Sequence, residues 1–208
     1  MEWIQQLVNG ISVGSIYALI ALGYTMVYGI IKLINFAHGD VFMLGAFIGF
    51  YAIARWEMHF ILALLLSMAL CAIIGVIIER VAYKRLRNAT RIAALITAIG
   101  VSLLIEYTVI FFRGASPEAY PTVIESRNIE IFGAQISVQA LLILAIAIIL
   151  MLLLQFIVHQ TKIGKAMRAV SHDADAARLM GINVDNTISA TFAIGSALAG
   201  AAGVIFGI

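Results

Sequence analysis

Long apolar runs broken by short polar segments set the pattern of this chain. The runs Ile4–Ile31, Val41–Ala54, Phe60–Ile78, Ile92–Phe112, Val138–Val158 and Thr187–Ile208 are hydrophobic on every side rather than along one stripe. Helices of that kind belong in lipid or at the centre of a large protein, and about 20 residues cross the hydrocarbon core of a bilayer. The pattern predicts about six membrane-spanning helices. The second run is the shortest, and it crosses only by borrowing Leu33–Gly39 as a preceding half-turn. In the segment between the fourth and fifth runs, Asn128–Ser137 (NIEIFGAQIS) alternates polar and apolar residues around Gly133. Two readings fit it, a small hairpin or irregular coil. Pro117 and Pro121 lie in the same segment, so no predicted span carries a proline kink.

Composition strengthens the membrane reading. The 208 residues are 63% hydrophobic and 12% charged, against roughly 45–50% and 25% in soluble domains, and the mean hydropathy is +1.06. A soluble fold of this size would expose apolar patches that aggregate. With 2 Pro and 1 Cys, disorder, collagen and disulfide scaffolds are excluded. The net charge of +2 does not point to nucleic acid, because the basic residues fall in loops between apolar runs. The N-terminus does not read as a signal peptide: Met1–Gln6 has no Lys or Arg, and the apolar run outlasts an h-region.

The distribution of Lys and Arg predicts orientation. Glu79–Arg91 carries Arg80, Lys84, Arg85, Arg87 and Arg91, and His159–Asn186 carries Lys162, Lys165, Arg168 and Arg178. If both lie in the cytoplasm, Lys32 joins them, while Arg55, Arg113 and Arg127 fall outside, and the N-terminus is extracytoplasmic.

Polar groups inside apolar runs are costly and therefore informative. Glu106 sits deep in the fourth run and must face protein or a water-filled cavity, either as an interhelical hydrogen-bonding group or as the lining of a polar pathway. The segment Asn35-Phe36-Ala37-His38-Gly39-Asp40 interrupts the apolar pattern. Asn and Asp compete with helical backbone bonds, and Gly permits non-helical angles. Asn35, His38, Gly39 and Asp40 are therefore expected to form a broken or re-entrant helix, or else a simple turn. His38 and Asp40 lack further ligands at a recognisable spacing, so no metal or cofactor is expected. Gly10 and Gly14 form one GxxxG pair, and Gly45 and Gly49 form another. Both pairs are expected at close helix contacts, within the chain or at a subunit interface.

Before the last run stands TKIGKAMRAVSHDADAARLMGINVDNT. Ser171 suits an N-cap, Asp173 and Asp175 suit the first helical turn, and Gly181 suits the stop. Met167, Val170, Ala174 and Ala177 make one apolar stripe. A bilayer-surface helix is one reading. The stripe is small and Ala-rich, which suits docking onto another protein better.

Three stretches carry a family resemblance. Asp175-Ala176-Ala177-x-x-x-Gly181 resembles the EAA-x-x-x-G loop of ABC-importer permeases, with Asp in place of Glu. Ala18–Asp40, Ile78–Arg87 and Ile163–Asn183 are similar to the LivH-type branched-chain amino acid permeases, with Arg85 where many relatives have proline. The resemblance implies an all-α, type II ABC-importer-like permease forming one transmembrane domain over 1–208. Its cytoplasmic coupling segment would be 163–183, with Ser171, Asp173, Asp175, Ala176, Ala177, Arg178 and Gly181 as coupling residues and Ala177 on the docking face. It also implies a second homologous permease subunit, cytoplasmic ABC ATPases, an extracytoplasmic substrate-binding protein, and a place in the inner membrane. Relatives continue beyond this point, so a longer protein is expected, with roughly 80–100 further residues or four crossings or fewer. No Walker A pattern is present, so ATP hydrolysis is expected in a partner. Leucine, isoleucine and valine are the expected substrates, with urea or amides as the alternative. An ion-coupled carrier or channel fits less well because Glu106 is alone at depth. An intramembrane hydrolase lacks a nucleophile motif.

Overall fold

A computed structural model of the chain describes residues 2–87, 89–116, 119–121, 128–131 and 134–208. Pro117, Glu118, Glu125, Arg127 and the expected hairpin tip Gly133 lie outside the described residues. The helices are α1 (Glu2–Ile31), α2 (His38–Ala54), α3 (Phe60–Ile78), α4 (Arg91–Arg113), α5 (Val138–Gln160), α6 (Lys162–His172), α7 (Ala174–Leu179) and α8 (Val184–Phe206). Among the described residues, α1, α3, α4, α5 and α8 are long and apolar enough to cross a membrane, and α2, with 17 residues, is shorter. At 1.5 Å per residue α2 measures about 26 Å, close to the thickness of the hydrocarbon core.

Side-chain caps explain several helix starts. Thr90 Oγ1 accepts from the Ala93 N–H, Ser137 Oγ from Ala140, and Asn183 Oδ1 from Asn186. The Asn183 cap starts α8 at Val184 rather than at Thr187, by satisfying an N–H that the first turn leaves without a helical partner. Between α4 and α5, β1 (Asn128–Ile131) and β2 (Ala134–Ser137) form an antiparallel hairpin with Ile129 opposite Ile136. Of the two readings of that segment, the hairpin is the one formed.

α8 is the central helix, packed against α1, α2 and α3, while α5 packs on α1. Its small residues allow this. A Cβ on Gly45 of α2 would lie 2.5 Å from Gly200 Cα. Gly203 likewise meets the Phe42 carbonyl, and Gly75 of α3 meets Ser196. Ser67 Oγ of α3 lies 3.0 Å from the Gly45 carbonyl and 3.2 Å from the Gly200 carbonyl, which places one hydroxyl donor between three helices. Close backbone approach of this kind drives helix association where lipid removes the hydrophobic incentive. Gly49 also packs, against Val204 and Tyr120.

The other GxxxG pair departs from the expectation of helix packing within the chain. Gly10 is exposed, and so is Gly14. A Cβ added at Gly10 meets no atom within 4 Å, and a Cβ added at Gly14 meets none either. The physical reason is their place on α1: both lie on a face that turns away from α5 and α8, so no second backbone approaches them. Gly10 and Gly14 are therefore not packing residues of this bundle, whereas Gly45 and Gly49 are. Gly45→Leu should overpack the α2–α8 contact and cost about 1–3 kcal/mol, while Gly10→Ala and Gly14→Ala should be neutral or slightly stabilising through helix propensity. Thermal denaturation in detergent measures all three, and equal effects would refute the assignment of the two faces.

α4 is the least embedded helix. It touches α2 and the turn after α3, while Ile96, Leu104, Phe111 and Phe112 are exposed. Its far end is fixed by Arg113, whose guanidinium lies over the rings of Phe47, Phe50 and Tyr51 at 5.2, 5.3 and 4.7 Å and donates to the Tyr51 hydroxyl.

Candidate functional site

The interruption between α1 and α2 is real but lies earlier than its composition suggests. Lys32 takes a left-handed conformation with φ 59°, residues 33–37 are non-helical, and α2 begins at His38. Gly39 and Asp40 are therefore helical, and Gly39 is an exposed helix residue with open space around it rather than the flexible point of the break. The break is no solvated turn. Asn35 and His38 are buried, and Asn35 Oδ1 accepts from the Tyr83 hydroxyl at 2.9 Å. His38 Nε2 lies 3.2 Å from the Ile20 carbonyl, which assigns the ring proton to Nε2. The His38 ring also meets Tyr24 edge-on, with centroids 5.9 Å apart. Both side chains are thus satisfied structural groups.

Asp40 is different. It lies in the first turn of α2, facing Ser102 and Glu106 of α4. Its Oδ2 is buried without a hydrogen-bond partner among the described residues. Ser102 and Glu106 stand one turn apart on the same helical face. Glu106, expected to face protein or a water-filled cavity, is exposed on this chain, because α4 has so few neighbours. Two carboxylates and a hydroxyl thus mark an otherwise apolar seam, a setting that can take water or a donor group.

A second polar constellation falls where the sequence reads as a loop, and it is instead buried. After α3 the chain continues through a π-helical turn, Glu79–Tyr83, and a 3₁₀ turn, Lys84–Leu86. Glu79 has 0% exposure; one carboxylate oxygen pairs with Arg87 and the other accepts from Ser189 Oγ of α8 at 2.7 Å. Arg87 also pairs with Asp185, which Lys84 approaches at 2.9 Å. The one signal in the sequence is a single acid directly after an apolar run, with an arginine eight residues on.

The expected coupling segment is two helices rather than one. Thr161 Oγ1 caps α6 by accepting from Gly164 N–H at 3.1 Å. Ser171 is not an N-cap: it lies inside α6, and its hydroxyl donates to the Arg168 carbonyl at 2.8 Å. Asp173 is the cap that ends α6 and opens α7, its Oδ1 accepting from the Asp175 and Ala176 N–H groups at 2.9 Å each. A carboxylate satisfies two such donors better than a hydroxyl.

Gly181 stands at the stop as expected. Its φ of +84°, with Gly181 N–H to the Arg178 carbonyl and Ile182 N–H to the Ala177 carbonyl, both 3.0 Å, makes a Schellman motif. Asp175 and Arg178 pair across one turn at 3.2 Å. Ala177 does not lie on a free docking face. It is 4% exposed and buried in the chain's own core, together with Met167 and Val170. The free face carries Leu179 and Met180, 90% and 82% exposed, beside exposed Asp173, Asp175, Ala176 and Arg178.

Comparison with known proteins gives consistent matches. Residues 6–208 match the family model described as branched-chain amino acid transport system / permease component. The chain is 40% identical over 218 residues to the high-affinity branched-chain amino acid transport system permease protein BraD of Pseudomonas aeruginosa, covering 99% of this chain and 71% of that protein. It is 41% identical over 223 residues to the LivH permease protein of Salmonella typhimurium, covering 100% and 71%. Similarity extends to a probable branched-chain amino acid transport permease protein of Methanocaldococcus jannaschii, 27% identical over 197 residues, covering 91% and 61%. No solved structure matches significantly.

Proposed function

The chain belongs to the branched-chain amino acid transport permease family, and on that premise we propose that it is the membrane-spanning subunit of an ATP-driven importer of leucine, isoleucine and valine. The observation that carries this reading is identity of about 40% along nearly the whole chain to BraD and LivH. Its partners are cytoplasmic ABC ATPases, a second homologous permease and an extracytoplasmic binding protein. Hydrolysis belongs to the ATPases, and this subunit acts as conduit and lever in the inner membrane.

The geometry supports a division of labour within one transmembrane domain over 1–208. The seam of Asp40, Ser102 and Glu106 on weakly packed α4 is suited to line the path. Residues 163–183 are suited to receive the push, because α7 leads through Gly181, Ile182 and Asn183 directly into α8, the helix on which α1, α2 and α3 pack. A displacement of α7 therefore acts on the bundle through its central member. Carried in cells with its partner subunits, the full-length protein should support uptake of labelled leucine that requires the ATPases. Uptake of labelled urea in preference to leucine, or uptake without the ATPases, would overturn the reading.

Orientation is testable separately. With the two basic segments in the cytoplasm, Ala176→Cys in a Cys71→Ser background should resist an impermeant thiol reagent applied from outside, while Ser116→Cys should react. Both test positions are exposed on the chain and the native thiol is buried. The reverse labelling pattern would invert the topology.

A further inference from the structure

A cavity of about 650 Å³ opens among the end of α1, the turns after α3, the α6–α7 segment and the start of α8. Because it is lined by the last residues of one span and the first of another, it lies at the level where helices leave the hydrocarbon. Part of its wall is apolar, including Ile31, Val184 and Ile188. The rest carries Lys32, Lys84, Arg87 and Arg178 against Asp175 and Asp185.

The cations are incompletely neutralised. Asp185 is shared between Lys84 and Arg87, Asp175 serves Arg178, and Lys32 has no ion pair among the described residues. Arg87 directs its terminal nitrogens to Glu79 and Asp185. The Asp175–Arg178 pair is exposed and weak, so Arg178 can be drawn to another anion. With Glu79 and Asp185 on Arg87, the excess is one positive charge, carried by Lys32, and that excess, the weakly held Arg178 and an apolar wall in one cavity match an anion attached to an apolar body.

We propose that this cavity binds a phosphate-bearing anion, the group that phospholipid headgroups present at this depth. The proposal rests on the membrane-spanning reading but on neither the transported substrate nor the ATPase. A bound phosphate would tie Arg178 of the coupling segment to Lys32 at the end of α1, so that occupancy stiffens the junction between α7 and α8.

The test is native mass spectrometry of the full chain released from nanodiscs holding phosphatidylglycerol and phosphatidylcholine in equal amounts. Phosphatidylglycerol should be retained preferentially, and the preference should fall about five-fold per cation removed in Lys32→Asn, Arg178→Gln and their combination. Asn tolerates the left-handed backbone at position 32, and Arg178→Lys, which keeps the charge, should retain the lipid. Lys165→Gln, at an exposed position of α6, removes a charge away from the cavity and should leave the preference unchanged. Displacement by inorganic phosphate without any lipid preference would support the site and make free phosphate its source. The proposal is overturned if neither anion is preferred, if the double variant retains the wild-type preference, or if Lys165→Gln loses it equally.

Discussion

Glu79→Leu is expected to cost about 3–5 kcal/mol of stability, because it removes one partner of a buried ion pair and leaves the other uncompensated. Glu79 is fully buried where α3 passes into the π-helical turn, and it binds Arg87 and Ser189 at once. Without it, Arg87 keeps only Asp185, and the Ser189 hydroxyl loses its acceptor. The turn after α3 then keeps only the Asp185 pairs of Arg87 and Lys84 as ionic ties to α8. Glu79→Gln keeps one acceptor oxygen, for Arg87, and turns its amide N–H toward Ser189 Oγ, which must then accept, so it should be milder, at about 1.5–3 kcal/mol. The double variant Glu79→Leu/Arg87→Leu removes both charges and should recover part of the loss, since apolar replacement of a whole buried pair is often close to neutral. Thermal or denaturant unfolding in detergent gives all three values. A single-variant loss below about 1 kcal/mol, the range of exposed pairs, would mean that Glu79 is solvated as a loop residue.

The different fates of Glu79 and α3 show how much is legible in the sequence. The apolar run Phe60–Ile78 forms α3 with those same limits, because length and hydropathy alone decide where lipid can accommodate a helix. The conformation of the residues after the run depends on tertiary partners. Arg87 is eight residues on, but Asp185 and Ser189 come from distant α8, and apart from the spacing of acid and arginine nothing local distinguishes a buried Glu79 from a solvated one. Asn35 is legible as a break and illegible as a partner of Tyr83, for the same reason. Gly45 and Gly14 belong to equal GxxxG patterns, yet one meets Gly200 and the other, like Gly10, meets nothing. The spacing gives a face its smoothness and does not say what lies against it.

The proposed coupling segment carries the same lesson at the point that matters most for mechanism. Its small stripe is a buried face, but the burial is against the chain's own core rather than against a partner. The N-cap is Asp173 rather than Ser171, because two adjacent N–H groups need an acceptor where α6 breaks. Only the Gly181 stop comes from local chemistry alone, since a φ of +84° is cheap for Gly and costs roughly 1–2 kcal/mol for other L-residues.

Leu179→Asp combined with Met180→Asp is therefore expected to abolish binding of the proposed ATPase partner while leaving the permease inserted and folded. These two side chains are the most exposed apolar groups of the segment. An apolar tip that docking would desolvate, flanked by Asp175 and Arg178, fits the usual anatomy of an interface hot spot, where losing a central anchor costs about 2 kcal/mol or more, roughly a thirty-fold loss of affinity or greater. Gly181→Val should act at the same place by strain, tilting the tip without changing its composition. Ala177→Arg separates docking from folding: at a buried position it should lower the amount of folded protein in the membrane rather than release a folded permease from its ATPase. The decisive measurement is co-purification of the ATPase with the full-length permease, normalised to membrane level. If the Leu179/Met180 variant stays inserted, keeps its ATPase and transports normally, this tip is not the contact, and the lever leading from α7 into α8 has to be driven from elsewhere.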